Sequence, residues 1–216
     1  MRKFLLLASL SVFVITCNAQ DVSKQVTIHH KAYTTCFDQS LHEPVWVKWT
    51  LTPAMLPKDH LPRETKFTED PLIPNTKLNK DYQGSGYDQG HCTPAQDNAS
   101  DVQEEIECFY FSNMEPQLPE LNRIVWKSLE MWCRSEVLNK NTTLVIVCGG
   151  YNFTKTIGPD KVGVPAYCWK AILENGKWIA YMLPNDPLVK ERPFTSYEID
   201  ISVLDKTLGF KVEDLK

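Results

Sequence analysis

Basic residues are in deficit in this chain. Across 216 residues, 23 Lys and Arg face 27 Asp and Glu, a formal net charge of −4. Without the first twenty residues, 21 basic and 27 acidic residues remain, giving −6. A uniformly positive surface, the usual means of holding a polyanion, is thereby excluded, so any phosphate site must be a local cationic groove or a metal centre. No C-x-x-C pair and no H-x-x-x-H spacing occurs, which leaves a zinc site without its usual signature. Beyond residue 20 no apolar run is long enough to cross a bilayer, and no membrane span is expected there. Low-complexity tracts, internal repeats and linkers are missing as well. Residues 21–216 therefore read as one folded domain with a core of its own.

The first twenty residues differ in kind. Arg2 and Lys3 precede the apolar stretch FLLLASLSVFVI, and Ala19 places a small residue before a cleavage point. This pattern predicts a secretory signal peptide over 1–20 and a secreted, periplasmic or extracellular mature chain. A retained N-terminal anchor is the alternative. Lipidation at Cys17 is disfavoured by Thr16 in front of it. Cleavage leaves Cys36, Cys92, Cys108, Cys133, Cys148 and Cys168. An even number in an exported chain predicts disulfides, whose pairing the sequence leaves open. The sequons at Asn98, Asn141 and Asn152 would be glycosylation sites if the source were eukaryotic.

Residues 26–37 and 44–51 are rich in β-branched and aromatic side chains and predict two strands. Residues 52–80, proline-rich and charged, predict loop. ECFYFSN (107–113) reads as a short buried strand. Leu121, Val125, Leu129, Trp132 and Cys133 recur at three and four, the mark of an amphipathic helix running to about Leu138. TLVIVCGG (143–150) predicts a central strand stopped by two glycines. PAYCWKAIL and KWIAYMLP flank Glu174-Asn175-Gly176, an Asn-Gly hairpin. Residues 196–204 fit a last strand or a helix start. The expected fold class is α+β: a central antiparallel β-sheet with helices and long loops.

Chemistry concentrates in SGYDQGHCTP (85–94) and on the helix. His91 follows Gly90, where the backbone turns freely, and an imidazole near its ordinary pKa is a competent general base. Asp88 is placed to orient that ring or to hold the turn. On the helix, Glu130 and Arg134 fall about 40° apart and Asn122 about 80° from Glu130. An amide oxygen, a carboxylate and a guanidinium on one flank suit a hydrated divalent ion and a phosphate. A turn-capping histidine and a solvated Glu130–Arg134 pair are the blander readings of the same residues.

Together, YDQGHCTPAQDNAS and FYFSNMEPQLPELNRIVWKSLEMWCR resemble the DNA/RNA non-specific endonucleases of the ββα-metal superfamily. The matching positions are Asn113, Pro116, Gln117, Asn122, Trp126, Glu130 and Arg134. The resemblance implies a ββα-metal active-site motif and an endonuclease cutting DNA and RNA with Mg²⁺, or Mn²⁺ in its place. It implies His91 as general base, Asn122 as the only direct protein ligand of the ion, and Glu130 holding the ion's waters. It further implies that Arg134 stabilises charge on the phosphorane and that Asn113 supports the His91 loop. Gln89 stands where the family usually has arginine. It is the best support for the alternative of a catalytically weak homologue that binds nucleic acid or a cell-surface partner. Cys92 reads as a disulfide partner pinning the catalytic loop. Residues 36–46 hold no match to the family's N-terminal arginine. Oligomeric state is left open.

Overall fold

The computed structural model describes residues 22–56, 62–76 and 78–215. The leader expected over 1–20, with Cys17, lies outside them. Strands β1 (Gln25–His29), β2 (Tyr33–Asp38) and β3 (Glu43–Leu51) open the fold as antiparallel neighbours. The stretch 26–37, expected as one strand, is thus a hairpin, bent at residues 30–32. After the loop come the one-turn helix α1 (Asn79–Tyr82), strand β4 (Asp88–His91), helix α2 (Val102–Cys108), strand β5 (Met114–Gln117) and the long helix α3 (Lys127–Lys140). Strands β6 (Leu144–Ile157), β7 (Val162–Glu174), β8 (Lys177–Pro184) and β9 (Glu198–Ile199) follow, then α4 (Ile201–Leu208).

The large sheet is antiparallel with the order β1-β2-β3-β6-β7-β8-β9, and β4-β5 pair by themselves. The α+β expectation holds. Alternation along the central strands serves two cores. Val47, Trp49, Leu51, Ile146, Cys148, Cys168 and Ile172 meet Leu121, Val125, Trp126, Leu129, Cys133 and Val137 of the long helical segment. Trp46, Val147, Trp169 and Ala171 face the opposite way onto Leu204 and the C-terminal residues. The sheet is therefore sandwiched, with the β4-β5 hairpin and α3 on the face that carries the chemistry.

Three local expectations change. Residues 107–113 do not form a strand: Asp101 caps α2 by accepting from the amides of Gln103 and Glu104, and Phe111–Asn113 is a 3₁₀ turn. Their aromatic composition reflects burial, not extension. The helix from Leu121 begins as a π-turn over Leu121–Trp126, with the Lys127 amide bonded to the Asn122 carbonyl. The extra residue turns both Val125 and Trp126 inward without disturbing the apolar periodicity. β6 runs through Gly149 and Gly150 instead of stopping, because a Cβ on Gly149 would collide with the carbonyl oxygen of Val45 on β3. The Asn-Gly hairpin forms as expected, with Asn175 at φ 50° and Gly176 at φ 79°. Residues 196–204 form both β9 and the start of α4.

All six cysteines among the described residues are free and buried, which corrects the disulfide expectation. They behave as small apolar side chains: four of them line the α3 core. Cys92 lies against Cys148 as a thiol. Asn98 is also buried, its amide bonded to Thr93 Oγ1 at 3.0 Å and the Pro94 carbonyl at 2.8 Å, so its sequon is inaccessible.

Candidate active site

His91 ends β4 and pairs with Met114 of β5. It is not in an exposed loop; only 9% of its surface is exposed. Gly90 matters here for space instead of turning, since a Cβ there would lie 2.5 Å from the Gln117 side chain. The chain past His91 is fixed by Asn113. Its Oδ1 accepts from the Thr93 amide at 2.9 Å, and its Nδ2 donates to the carbonyls of Thr93 at 2.9 Å and Cys108 at 2.8 Å. Trp126 Nε1 donates to the His91 carbonyl at 3.2 Å, which docks the long helical segment beneath the strand. The imidazole stands edge-on to Phe109 at 4.8 Å, and its buried Nε2 has no hydrogen-bond partner. Burial, aided by the positive charge of Arg63, pushes its pKa down to about 3. The ring is therefore neutral well below neutral pH, which corrects the expectation of an imidazole near its ordinary pKa.

Asp88 does not reach the His91 ring. Its Oδ2 accepts from Asn122 Nδ2 at 2.9 Å and Arg123 Nε at 2.7 Å, and its Oδ1 from Arg123 Nη2 at 2.5 Å. Burial opposes its ionisation, but these bonds outweigh it and hold the carboxyl below the usual range. The π-turn, by shifting the helical register, lets consecutive Asn122 and Arg123 both reach back to β4. With its nitrogen given to Asp88, Asn122 keeps its carbonyl oxygen as the open end. Gln89 sits half-buried beside Asp88, opposite Pro116.

Two turns along, Glu130 is pushed up to about 7 by burial, a rise moderated by Lys170 and Arg134. Arg134 does not pair with Glu130. Its Nη1 donates to Asp97 Oδ1 at 3.0 Å, with 12% of the side chain exposed, and Asp97 also accepts from Trp49 Nε1 at 3.1 Å. Lys170, on β7, is buried with Nζ 4.2 Å from the Trp126 ring centroid and 5.2 Å from that of Trp49. Burial opposes its charge, but the acids around it, Glu130 and Asp97 included, outweigh that and raise its pKa.

Two contributors escaped the sequence reading. Lys170 reads as one more strand residue, and only the tertiary fold brings it under Glu130. Arg63 lies in the proline-rich loop, well past residues 36–46. Exposed, and 5.3 Å from the Phe109 ring centroid, it acts electrostatically on both His91 and Glu130.

The geometry fits a hydrated hard cation. Among the described residues no three His, Cys, Asp or Glu side chains gather as a metal cluster, but one open amide oxygen with a carboxylate two turns away suits an ion that keeps most of its waters. Among the described residues no helix is long and apolar enough to cross a membrane.

The family described as DNA/RNA non-specific endonuclease matches residues 14–215. The mitochondrial nuclease of Saccharomyces cerevisiae is 31% identical over 85% of this chain and 64% of its own. The mitochondrial nuclease EXOG of Danio rerio is 32% identical over 80% and 56%, and human mitochondrial endonuclease G is 29% identical over 83% and 66%. The chain thus spans between about half and two thirds of these relatives' lengths. A crystal structure of EndoG in complex with EndoGI superimposes with a TM-score of 0.77 at 26% identity, covering 85% of this chain and 83% of that one. The expectation of a secreted or periplasmic protein is corrected by these matches, because the relatives are mitochondrial proteins. It had rested on the leader's composition and the cysteine count, and the buried thiols carry no oxidised bond. A family match over nearly the whole chain, with the His91 hairpin docked on the Asn122 helix as a ββα unit, places it: the chain belongs to the DNA/RNA non-specific endonuclease family.

Proposed function

We propose that the chain is an endonuclease that hydrolyses phosphodiester bonds of DNA and RNA with little sequence specificity, using Mg²⁺ or, in its place, Mn²⁺. The observation that carries this reading is the juxtaposition of His91, at the end of β4, with Asn122, which Asp88 of the same strand clips in place. His91 accepts a proton from water as the water oxygen bonds to phosphorus and the bond to the leaving oxygen breaks. The carbonyl oxygen of Asn122 would hold the ion, and Glu130 would hydrogen-bond the waters it keeps. Bound there, the ion supplies Lewis-acid stabilisation of charge on the phosphate and the leaving oxygen. Arg134, given over to Asp97, fixes the helix that carries Glu130. The exposed guanidinium of Arg63 faces the phosphate in the role first expected of Arg134. Contacts of this kind read the backbone and not the base edges, so sequence preference is weak.

The test is incubation of the purified chain with supercoiled plasmid and with RNA in Mg²⁺, with and without EDTA. Both substrates are cut, EDTA abolishes cutting, and excess Mg²⁺ or Mn²⁺ restores it. Full activity in EDTA overturns the metal assignment. DNA binding without nicking in Mg²⁺, Mn²⁺ and Ca²⁺ overturns the enzyme and favours the binding-only relative suggested by Gln89.

A further inference from the structure

Behind the His91 hairpin lies a second group of polar side chains that the proposed chemistry does not use. Glu43 begins β3, is 1% exposed, and has no hydrogen-bond partner on either carboxylate oxygen. Glu115, on β5 opposite Gly90, is fully buried; its Oε1 accepts from Gln117 Nε2 at 2.9 Å and its Oε2 is unpartnered. Gln117, its nitrogen committed to Glu115, leaves its own Oε1 buried and unpartnered. The Tyr82 hydroxyl, from α1, is buried without a partner as well. Glu43 and Glu115 act electrostatically on one another, and both act on Tyr82. Burial, then the charge of Glu115, raises Glu43 well above the carboxylate range, and Tyr82 is pushed up by burial and by both carboxylates.

The imbalance is chemical. Four orphan atoms accept hydrogen bonds only, a single phenol is the sole donor among the five, and the Cys168 thiol adds only a weak donor beside Glu115 and Gln117. Buried carboxylates are normally paired or coordinate a metal. We propose that Glu43, Glu115, Gln117 and Tyr82 form an interior cation site, separate from the Asn122 centre, that takes Ca²⁺. Two carboxylates balance a divalent charge, and an all-oxygen set selects a hard ion. Ca²⁺ accepts bidentate carboxylates and irregular geometry, whereas Mg²⁺ demands near-ideal octahedral geometry and gives up its waters reluctantly. Cys92 and Cys168 lie alongside, but the buried acceptors without partners are all oxygens, which favour a hard ion over zinc. Lys170 reaches Glu115 only at longer range, with its ammonium on the Trp126 ring. The bound ion ties β3 of the large sheet to β5 and α1, bracing the hairpin that presents His91.

This site does not depend on the nuclease reading. The experiment is thermal unfolding of the full chain in EDTA and in increasing Ca²⁺, for wild type, Asn122→Ala and the double variant Glu43→Gln/Glu115→Gln. Wild type and Asn122→Ala both gain a saturable rise in Tm with Ca²⁺. The double variant stays flat, and in EDTA it unfolds no lower than wild type, because its amides donate to the orphan oxygens. A Ca²⁺ response that persists in the double variant overturns the proposal. So does the absence of a response in both wild type and Asn122→Ala, which leaves protons as the only occupants of the pair.

Discussion

Replacing His91 with asparagine should make the protein less sensitive to mild acid. Burial and Arg63 lower the imidazole from 6.5 to about 3. Between those values the unfolded histidine holds a proton that the folded one refuses, so native stability falls as pH drops below 6.5 and is unaffected above it. At 1.36 kcal/mol per pH unit, this residue alone makes the native state about 2 kcal/mol less stable at pH 5 than at pH 7.5. Glu130 acts in the opposite sense. Raised to about 7, it keeps its proton in the folded state while the unfolded carboxyl loses it, so its contribution weakens as pH rises from 4.5 to 7. Both proteins carry Glu130, so the comparison cancels it. Urea unfolding of wild type and His91→Asn at pH 7.5 and 5 measures the difference. Wild type should lose about 2 kcal/mol more than the variant over that interval. Equal losses, or an imidazole NMR signal that titrates near 6.5 in the folded protein, refute the buried neutral ring.

The two arginines separate by assay. Arg134→Ala leaves Asp97 buried without its cation and should cost about 3–5 kcal/mol in urea unfolding at pH 7, less at acidic pH where Asp97 takes a proton. Arg63→Ala, at an exposed position, should leave stability within about 0.5 kcal/mol. It should raise KM and reduce the slope of log affinity against log salt by about 1. Asn113→Ala strands the amide and carbonyl of Thr93 and the carbonyl of Cys108 in the interior; a loss of about 4 kcal/mol is expected by thermal or urea unfolding.

What the sequence revealed was mostly local or periodic. The apolar spacing from Leu121 marked the helix and the Asn-Gly pair marked the β7-β8 turn, because each depends on near neighbours. His91, Asn122, Glu130 and Arg134 were readable as chemistry, but their partners were not. Asp88 reaches Asn122 and Arg123 across more than thirty residues. The π-turn that permits this adds a residue without breaking the hydrophobic pattern. Gly149 and Gly90 each answer to a neighbour distant in sequence, the Val45 carbonyl and the Gln117 side chain, so a turn was the only reading available locally. Cysteine count said nothing of distance, and burial explains the thiols without bonds. Arg63 lay in a loop whose composition announces only irregularity.

The central claim is that the His91 imidazole takes the proton from the attacking water. Initial rates of supercoiled plasmid nicking in saturating Mg²⁺, for wild type and His91→Ala, test it most directly. The account predicts a fall of about 10²–10⁴-fold in the variant, with its fold retained by circular dichroism. A folded His91→Ala that nicks within a few-fold of wild type contradicts it.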